Sequence, residues 1–232
     1  MGEKIDLLDH GLVRLIDHMG NDLSIVRNAR VSHDAVWRTG KDAGKDERLI
    51  NYLYSHQHNT PFEAVVFTFE VKAPIFVVRQ WHRHRTWSYN EVSARYTELP
   101  EEVYVPTIEN IGHQDSKNHQ SRNITGDVAD PEMANMELDV VRQHHATSFQ
   151  MYRNLLLDGW PRELARTVLP VGTYTHMFAT VNLNNLFKFL TERASPHAQY
   201  EIRVYAEALL ELIRPIVPVA VAAWEAERGE EV

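Results

Sequence analysis

The chain has 232 residues, 44% hydrophobic and 24% charged, with a formal charge of −8, a composition of folded proteins that excludes a disordered or low-complexity chain. The acidic balance excludes a broad basic face for nonspecific binding to nucleic acid or anionic membrane, and leaves room for a local basic pocket. The absence of cysteine excludes disulfides, thiolate metal sites and a cysteine nucleophile. Leu12 to Met19 alternates apolar and polar positions and reads as an opening strand. Asn21 or Asp22 caps a helix over Leu23 to Val31, and a polar loop around Lys41 to Lys45 leads to a second helix, Asp46 to His56, with Leu49, Leu53 and Tyr52 inward. Phe62 to Val71 is the clearest strand, with Phe67, Phe69 and Val71 on one face and Thr68 and Glu70 on the other.

Pro74 ends that strand and suits the first turn of a helix reaching Arg85, which would place Gln80, Arg83 and His84 on one face. Thr97 to Pro106 reads as extended chain with a short strand at Val103 to Val105, and Thr107 to Val128 as a long polar loop or lid. Asp130 and Pro131 open a long amphipathic helix that Gly159 stops, and Pro161 opens a short one. Tyr174 to Asn182 is a strand; Asn185 to Arg193, Pro196 to Ile213 and Val219 to Glu227 are helices, the last set off by Pro215 and Pro218. Three or four strands among unequal helices predict an α+β fold, in one domain over residues 1–232 with no repeat or linker. The opening residues lack a signal peptide's apolar segment, and no run approaches the roughly 18 apolar residues of a membrane span, so a cytoplasmic protein is expected.

Within this acidic chain, Arg79, Arg83, Arg85 and Arg95 crowd around His82, His84, Ser88, Glu91 and Ser93. A helix C-terminus favours cations by roughly 0.3 to 1 kcal/mol each, which accounts for Arg83 and Arg85 but not for the polar run after them. The local charge reversal points to an anion site. Neither G-x-G-x-x-G nor G-x-x-x-x-G-K-[ST] occurs, so side chains rather than a backbone cradle must hold any phosphate, and the bidentate arginine fork suits that task. Arg166 and Arg193 sit among apolar residues; they are either site residues or partners of acids such as Glu163 and Glu192. The histidines lack a ligand spacing such as H-E-x-x-H, so no protein-bound metal is expected. Ser93 has no nucleophile elbow or triad around it and reads as a hydrogen-bond donor.

The string RHRTWSYNEVS, an R-H-R followed by seven residues and a serine, resembles the signature of the flavin-dependent thymidylate synthases. The resemblance extends to HNTPFEAVVFTFEVKAPIFVVRQW before it and to PRELARTVLP, TVNL and ERASPHAQYE after it. It implies reductive methylation of dUMP to dTMP, with methylenetetrahydrofolate as carbon donor, NADPH as reductant and FAD as hydride carrier. It further implies a twisted, mainly antiparallel sheet packed with long helices, in a homotetramer with shared active sites. Classical thymidylate synthases attack uracil with a cysteine, a route closed to this chain. The positions matched to dUMP are Gln80, Trp81, His82, Arg83, Glu91, Val92, Ser93, Ala94, Arg95, Arg166 and Arg193. Arg193 is the catalytic candidate, acting at uracil N3 by favouring its anion. The flavin positions are Thr60, Arg83, His84, Arg85, Glu91, Asn182, Leu183, Asn184 and Lys188, with His197 packing nearby. Many relatives have an arginine where this chain has Asn184, and a later asparagine where it has Lys188. The competing reading is a flavin or nucleotide-binding protein without catalysis.

Overall fold

Period-two alternation of apolar side chains builds the centre of the molecule. In the computed structural model, which describes residues 3–119, 121–123 and 130–229, strands β1 (Lys4–Leu7) and β2 (Gly11–Met19) form a hairpin, and helices α1 (Asp22–Val31) and α2 (Ala43–Ser55) follow. Strand β3 (Val66–Pro74) runs directly into α3 (Ile75–Trp81), and β4 (Ser88–Glu91) comes next. A small ribbon of β5 (His113–Gln114) and β6 (Arg122–Asn123) precedes the long α4 (Pro131–Leu157) and the one-turn α5 (Arg162–Ala165). Then come β7 (Tyr174–Asn182), α6 (Leu183–Arg193), α7 (Tyr200–Ile213) and α8 (Pro218–Gly229).

Five of the strands form one antiparallel sheet in the order β1-β2-β3-β7-β4. Strands β3 and β7 pair without a break from Val66 opposite Asn182 to Pro74 opposite Tyr174. Phe67, Phe69, Val71, Met177, Ala179 and Val181 are all buried on one face, each large side chain contributing roughly 1.5 to 3 kcal/mol. Helices α3, α6 and α7 close that face, with Val77, Trp81, Phe189, Tyr205 and Leu209 in the same core. The α7 helix lies so near β2 that a Cβ on Gly11 would stand 2.1 Å from the Tyr205 hydroxyl. That hydroxyl donates to the Lys72 carbonyl at 2.7 Å, so only glycine fits there.

The α+β class and the antiparallel sheet agree with expectation, whereas several boundaries do not. The expected strand at Phe62 begins only at Val66, because Thr60–Ala64 forms a 3₁₀ turn around Pro61. The α3 helix stops at Trp81, so Arg83 and His84 lie in the following turn and share no helix face with Gln80. Val103 makes an isolated bridge to Thr173 rather than a strand. Tyr52, expected inward, is 52% exposed and stacks on His56 with ring centroids 4.0 Å apart. Of the segment expected as a lid, the ribbon is held by Arg122, which pairs with buried Glu201 at 2.7 Å; Gln120 and residues 124–129 lie outside the described residues.

Candidate active site

The turn after α3 is built on aromatic rings. Trp81 is fully buried and Trp87 nearly so, meeting edge-on at 5.6 Å, and Phe189 of α6 lies 4.8 Å from Trp81 and 5.2 Å from Trp87. The Tyr89 hydroxyl, reaching back from β4, donates to the carbonyls of Trp81 and His84 at 3.1 Å each. It thereby joins the His84 N–H, which donates to the Trp81 carbonyl at 2.9 Å, in tying the turn to the end of α3. With the apolar residues of the turn packed inward, its polar ones face out: His82, Arg83 and Arg85 are exposed, and Arg83 and Arg85 make no ion pair among the described residues.

His84 packs against Phe189 at 4.9 Å, and its Nε2 accepts a hydrogen bond from Arg193 Nε at 3.0 Å. Glu192 Oε2 lies 3.8 Å from the same nitrogen and 3.7 Å from Arg193 Nη2. Burial, and then the neighbouring Arg193 guanidinium, hold the His84 pKa below its ordinary value, against a smaller upward pull from Glu192. His84 is therefore a neutral acceptor at neutral pH and orients the guanidinium, with Nη2 beside Glu192 and Nη1 left for a ligand. The depressed pKa makes stability rise with pH. As pH falls from the ordinary histidine value towards the lower folded one, the unfolded chain takes up a proton that the folded chain resists, and stability is lost. His84→Gln, which still accepts from Arg193 but does not titrate, flattens this dependence. The check is Tm against pH from about 5 to 7.5 for both proteins, and identical slopes would count against a neutral His84.

Beyond the turn, β4 carries the polar run along β7. Glu91 Oε1 accepts from the Thr175 hydroxyl at 2.6 Å, Val92 N–H donates to the His176 carbonyl at 2.8 Å, and Ala94 is buried. The Ser93 hydroxyl oxygen accepts from the Arg95 N–H at 3.3 Å. Arg95 pairs with Glu163 of α5 at 3.2 Å. Glu163 thus partners Arg95 rather than Arg166, which follows α5 and is exposed without an ion-pair partner among the described residues. This pairing draws the Ser93 to Arg95 loop to the end of α5 and adds Arg166 to the cationic group.

At the other end of β4, Ser88 pairs with Thr180, two residues before Asn182, and Asn182 pairs with Val66 just after the Thr60–Ala64 turn. The Arg83 to Arg85 turn therefore leads in at the end of the sheet that holds Thr60 and the start of α6. Asn182 caps α6, its side-chain oxygen accepting from the Asn185 N–H at 2.9 Å. Leu183 is fully buried, and Asn184, also buried, donates to Glu63 at 3.4 Å. Lys188 and His197 are exposed. Thr60 and His58 line a cleft of about 1190 Å³ together with Trp37, Arg38 and Lys41, the two cations standing over the Trp37 ring at 4.9 and 4.6 Å. The sequence reading passed over this wall, although a tryptophan amid basic residues is a composition suited to a planar anionic ligand.

The chain is similar to known proteins over most of its length. The family model described as thymidylate synthase complementing protein matches residues 14–219. The chain is 47% identical to a flavin-dependent thymidylate synthase of Thermotoga neapolitana over 215 residues, 93% of this chain and 91% of that one. It is 44% identical to a Gluconobacter oxydans protein of the same description over 226 residues, 96% of this chain and 73% of the relative. The crystal structure of the UMP/dUMP methylase PolB from Streptomyces cacaoi bound with 5-Br dUMP matches with a TM-score of 0.84 at 36% identity, covering 96% of this chain and 97% of that one.

Proposed function

The chain belongs to the family of thymidylate synthase complementing proteins, the flavin-dependent thymidylate synthases, and from that premise we propose that it is an enzyme methylating dUMP to dTMP. FAD is its cofactor, NADPH its reductant and methylenetetrahydrofolate its carbon donor. The observation that carries this reading is Arg193, held at Nε by neutral His84 and flanked at Nη2 by Glu192, in a protein whose Arg83, Arg85 and Arg166 stand exposed without acidic partners among the described residues. Such guanidiniums suit a nucleotide phosphate. Arg83, Arg95 and Arg166 hold the phosphate of dUMP, and Gln80, Glu91, Ser93 and Ala94 frame the nucleoside. Trp81 shapes this site from beneath, and His82 and Val92 border it. Arg193 donates towards uracil N3, favouring its anion and so activating the ring.

The residues present fit a flavin dinucleotide. The 1190 Å³ cleft at Thr60 is large enough for a dinucleotide, and the exposed cation Arg85 enters at the same end of the sheet. Thr60, Arg83, His84, Arg85, Glu91 and Asn182 would hold it, Leu183 and Asn184 supporting from below and Lys188 meeting a phosphate. When bound, FAD supplies hydride transfer from NADPH, and the protein's share is to hold the nucleotide and shield the reaction from water.

Assembly belongs to the same proposal. Met133, Met136 and Val140 are 53%, 66% and 69% exposed at helical spacing on α4, an apolar stripe suited to cover by another copy. A homotetramer with shared sites is the state proposed, each chain a single domain over residues 1–232. A cytoplasmic location is part of the same proposal; no helix among the described residues is long and apolar enough to cross a membrane.

The test is an absorbance spectrum of the purified protein, followed by NADPH and dUMP under anaerobic conditions and then methylenetetrahydrofolate, with light scattering on the same preparation. Flavin bands that bleach, dTMP as product and a mass of four chains are expected. Bound flavin without dTMP would leave only the noncatalytic binding-protein reading.

A further inference from the structure

Behind Gln80 lies a buried carboxylate that none of the roles above uses. Glu201, in the first turn of α7, is 1% exposed. Its Oε1 accepts from the Tyr104 hydroxyl at 2.9 Å and from Arg122 Nη2 at 2.7 Å, and its Oε2 accepts from Gln199 Nε2 at 2.8 Å. Gln199 Oε1 in turn accepts from Gln80 Nε2 at 2.6 Å. A carboxylate paired with arginine only accepts, and arginine only donates. Gln199 can therefore satisfy Glu201 in one orientation, amide nitrogen towards the carboxylate and carbonyl towards Gln80. The same reasoning turns Gln80: its NH₂ goes to Gln199, and its carbonyl is the end left for a ligand.

We infer that Glu201 is a positioning residue for the nucleotide site, which through Gln199 fixes Gln80 with its carbonyl oxygen outward to receive a hydrogen-bond donor of dUMP. The inference rests on the proposed contact between Gln80 and dUMP. Arg122 makes the direction obligatory and ties the β5-β6 ribbon to the site, since Glu201 Oε1 already serves two donors.

The test is dUMP affinity by calorimetry on the flavin-loaded full chain. In Glu201→Gln the oxygen must stay with Arg122, so the new NH₂ faces Gln199, Gln199 turns over, and Gln80 presents NH₂ outward. Binding weakens by at least about tenfold, because two donors then face each other. Adding Gln80→Glu restores affinity to within about threefold of the unaltered protein, since a carboxylate accepts from Gln199 with one oxygen and offers the other. Gln199→Leu, at an exposed position, cuts the relay and leaves Tyr104 and Arg122 on Glu201. Affinity falls by about fivefold, and Gln80→Glu again repairs it, because a carboxylate needs no orienting. Should Glu201→Gln fail to fold, the Gln199→Leu pair decides alone. Unchanged affinity, or a loss that Gln80→Glu does not repair, overturns the relay. If Gln80→Ala leaves dUMP binding intact, the placement of dUMP at Gln80 has failed, and the relay with it.

Discussion

Arg193→Ala lowers turnover by about two to three orders of magnitude, the scale for removing one preorganised donor from a reacting centre, while the protein keeps its flavin. The expectation follows from how the guanidinium is held. Its Nε is engaged by His84 at 3.0 Å, its Nη2 stands 3.7 Å from Glu192, and the remaining donors face the proposed nucleotide. Arg193 itself is not among the residues proposed to hold the flavin, and His84 remains in place against Phe189. Arg193→Lys recovers little, because a single ammonium cannot serve His84 and the nucleotide with the geometry of a planar fork. The check is kcat beside flavin stoichiometry from absorbance; parallel loss of both would make Arg193 a structural residue.

Phe189→Ala destabilises the protein by about 3 to 5 kcal/mol, the range for deleting a buried aromatic ring without collapse of the cavity. Phe189 is fully buried and meets Trp81, His84 and Trp87 at ring-centroid distances of 4.8, 4.9 and 5.2 Å. Its loss removes the wall against which His84 rests, so activity falls at temperatures where the variant is still folded. Phe189→Leu, which refills most of the volume, recovers most of the stability. Urea melts with activity measured below the transition test both parts. A variant as stable as the parent would mean that the aromatic cluster does not carry the turn.

The α3 turn shows how much of the site was legible. Its arginines stood out against an acidic chain, whereas the inward packing of Trp81 and Trp87, which turns the cations outward, came only with the structure. The helix boundary was not legible, because Tyr89 supplies the hydroxyl at the end of α3 from a strand whose four residues, Ser88–Glu91, read as an ordinary polar turn. Strand β1 was missed for a related reason: Lys4–Leu7 is too short for alternation to register, and only pairing with β2 makes it a strand. Glu201 left one faint signal, an acid on the helix that buries Ile202, Tyr205 and Leu209.

By itself the sequence determined the α+β class, the apolar face of β3, the strand at β7, the exclusion of a cysteine nucleophile and the ordered arginine signature. Each of these is a property of one segment or of the whole composition, and backbone periodicity or residue chemistry reports it locally. Tertiary structure alone decided which acid meets which base. Glu163 goes to Arg95, Arg193 leans on His84 across 109 residues, Gln80 meets Gln199 across 119, and Arg122 meets Glu201 across 79. A charge carries no address in the chain, and its partner is set by which segments the buried core brings within hydrogen-bond reach.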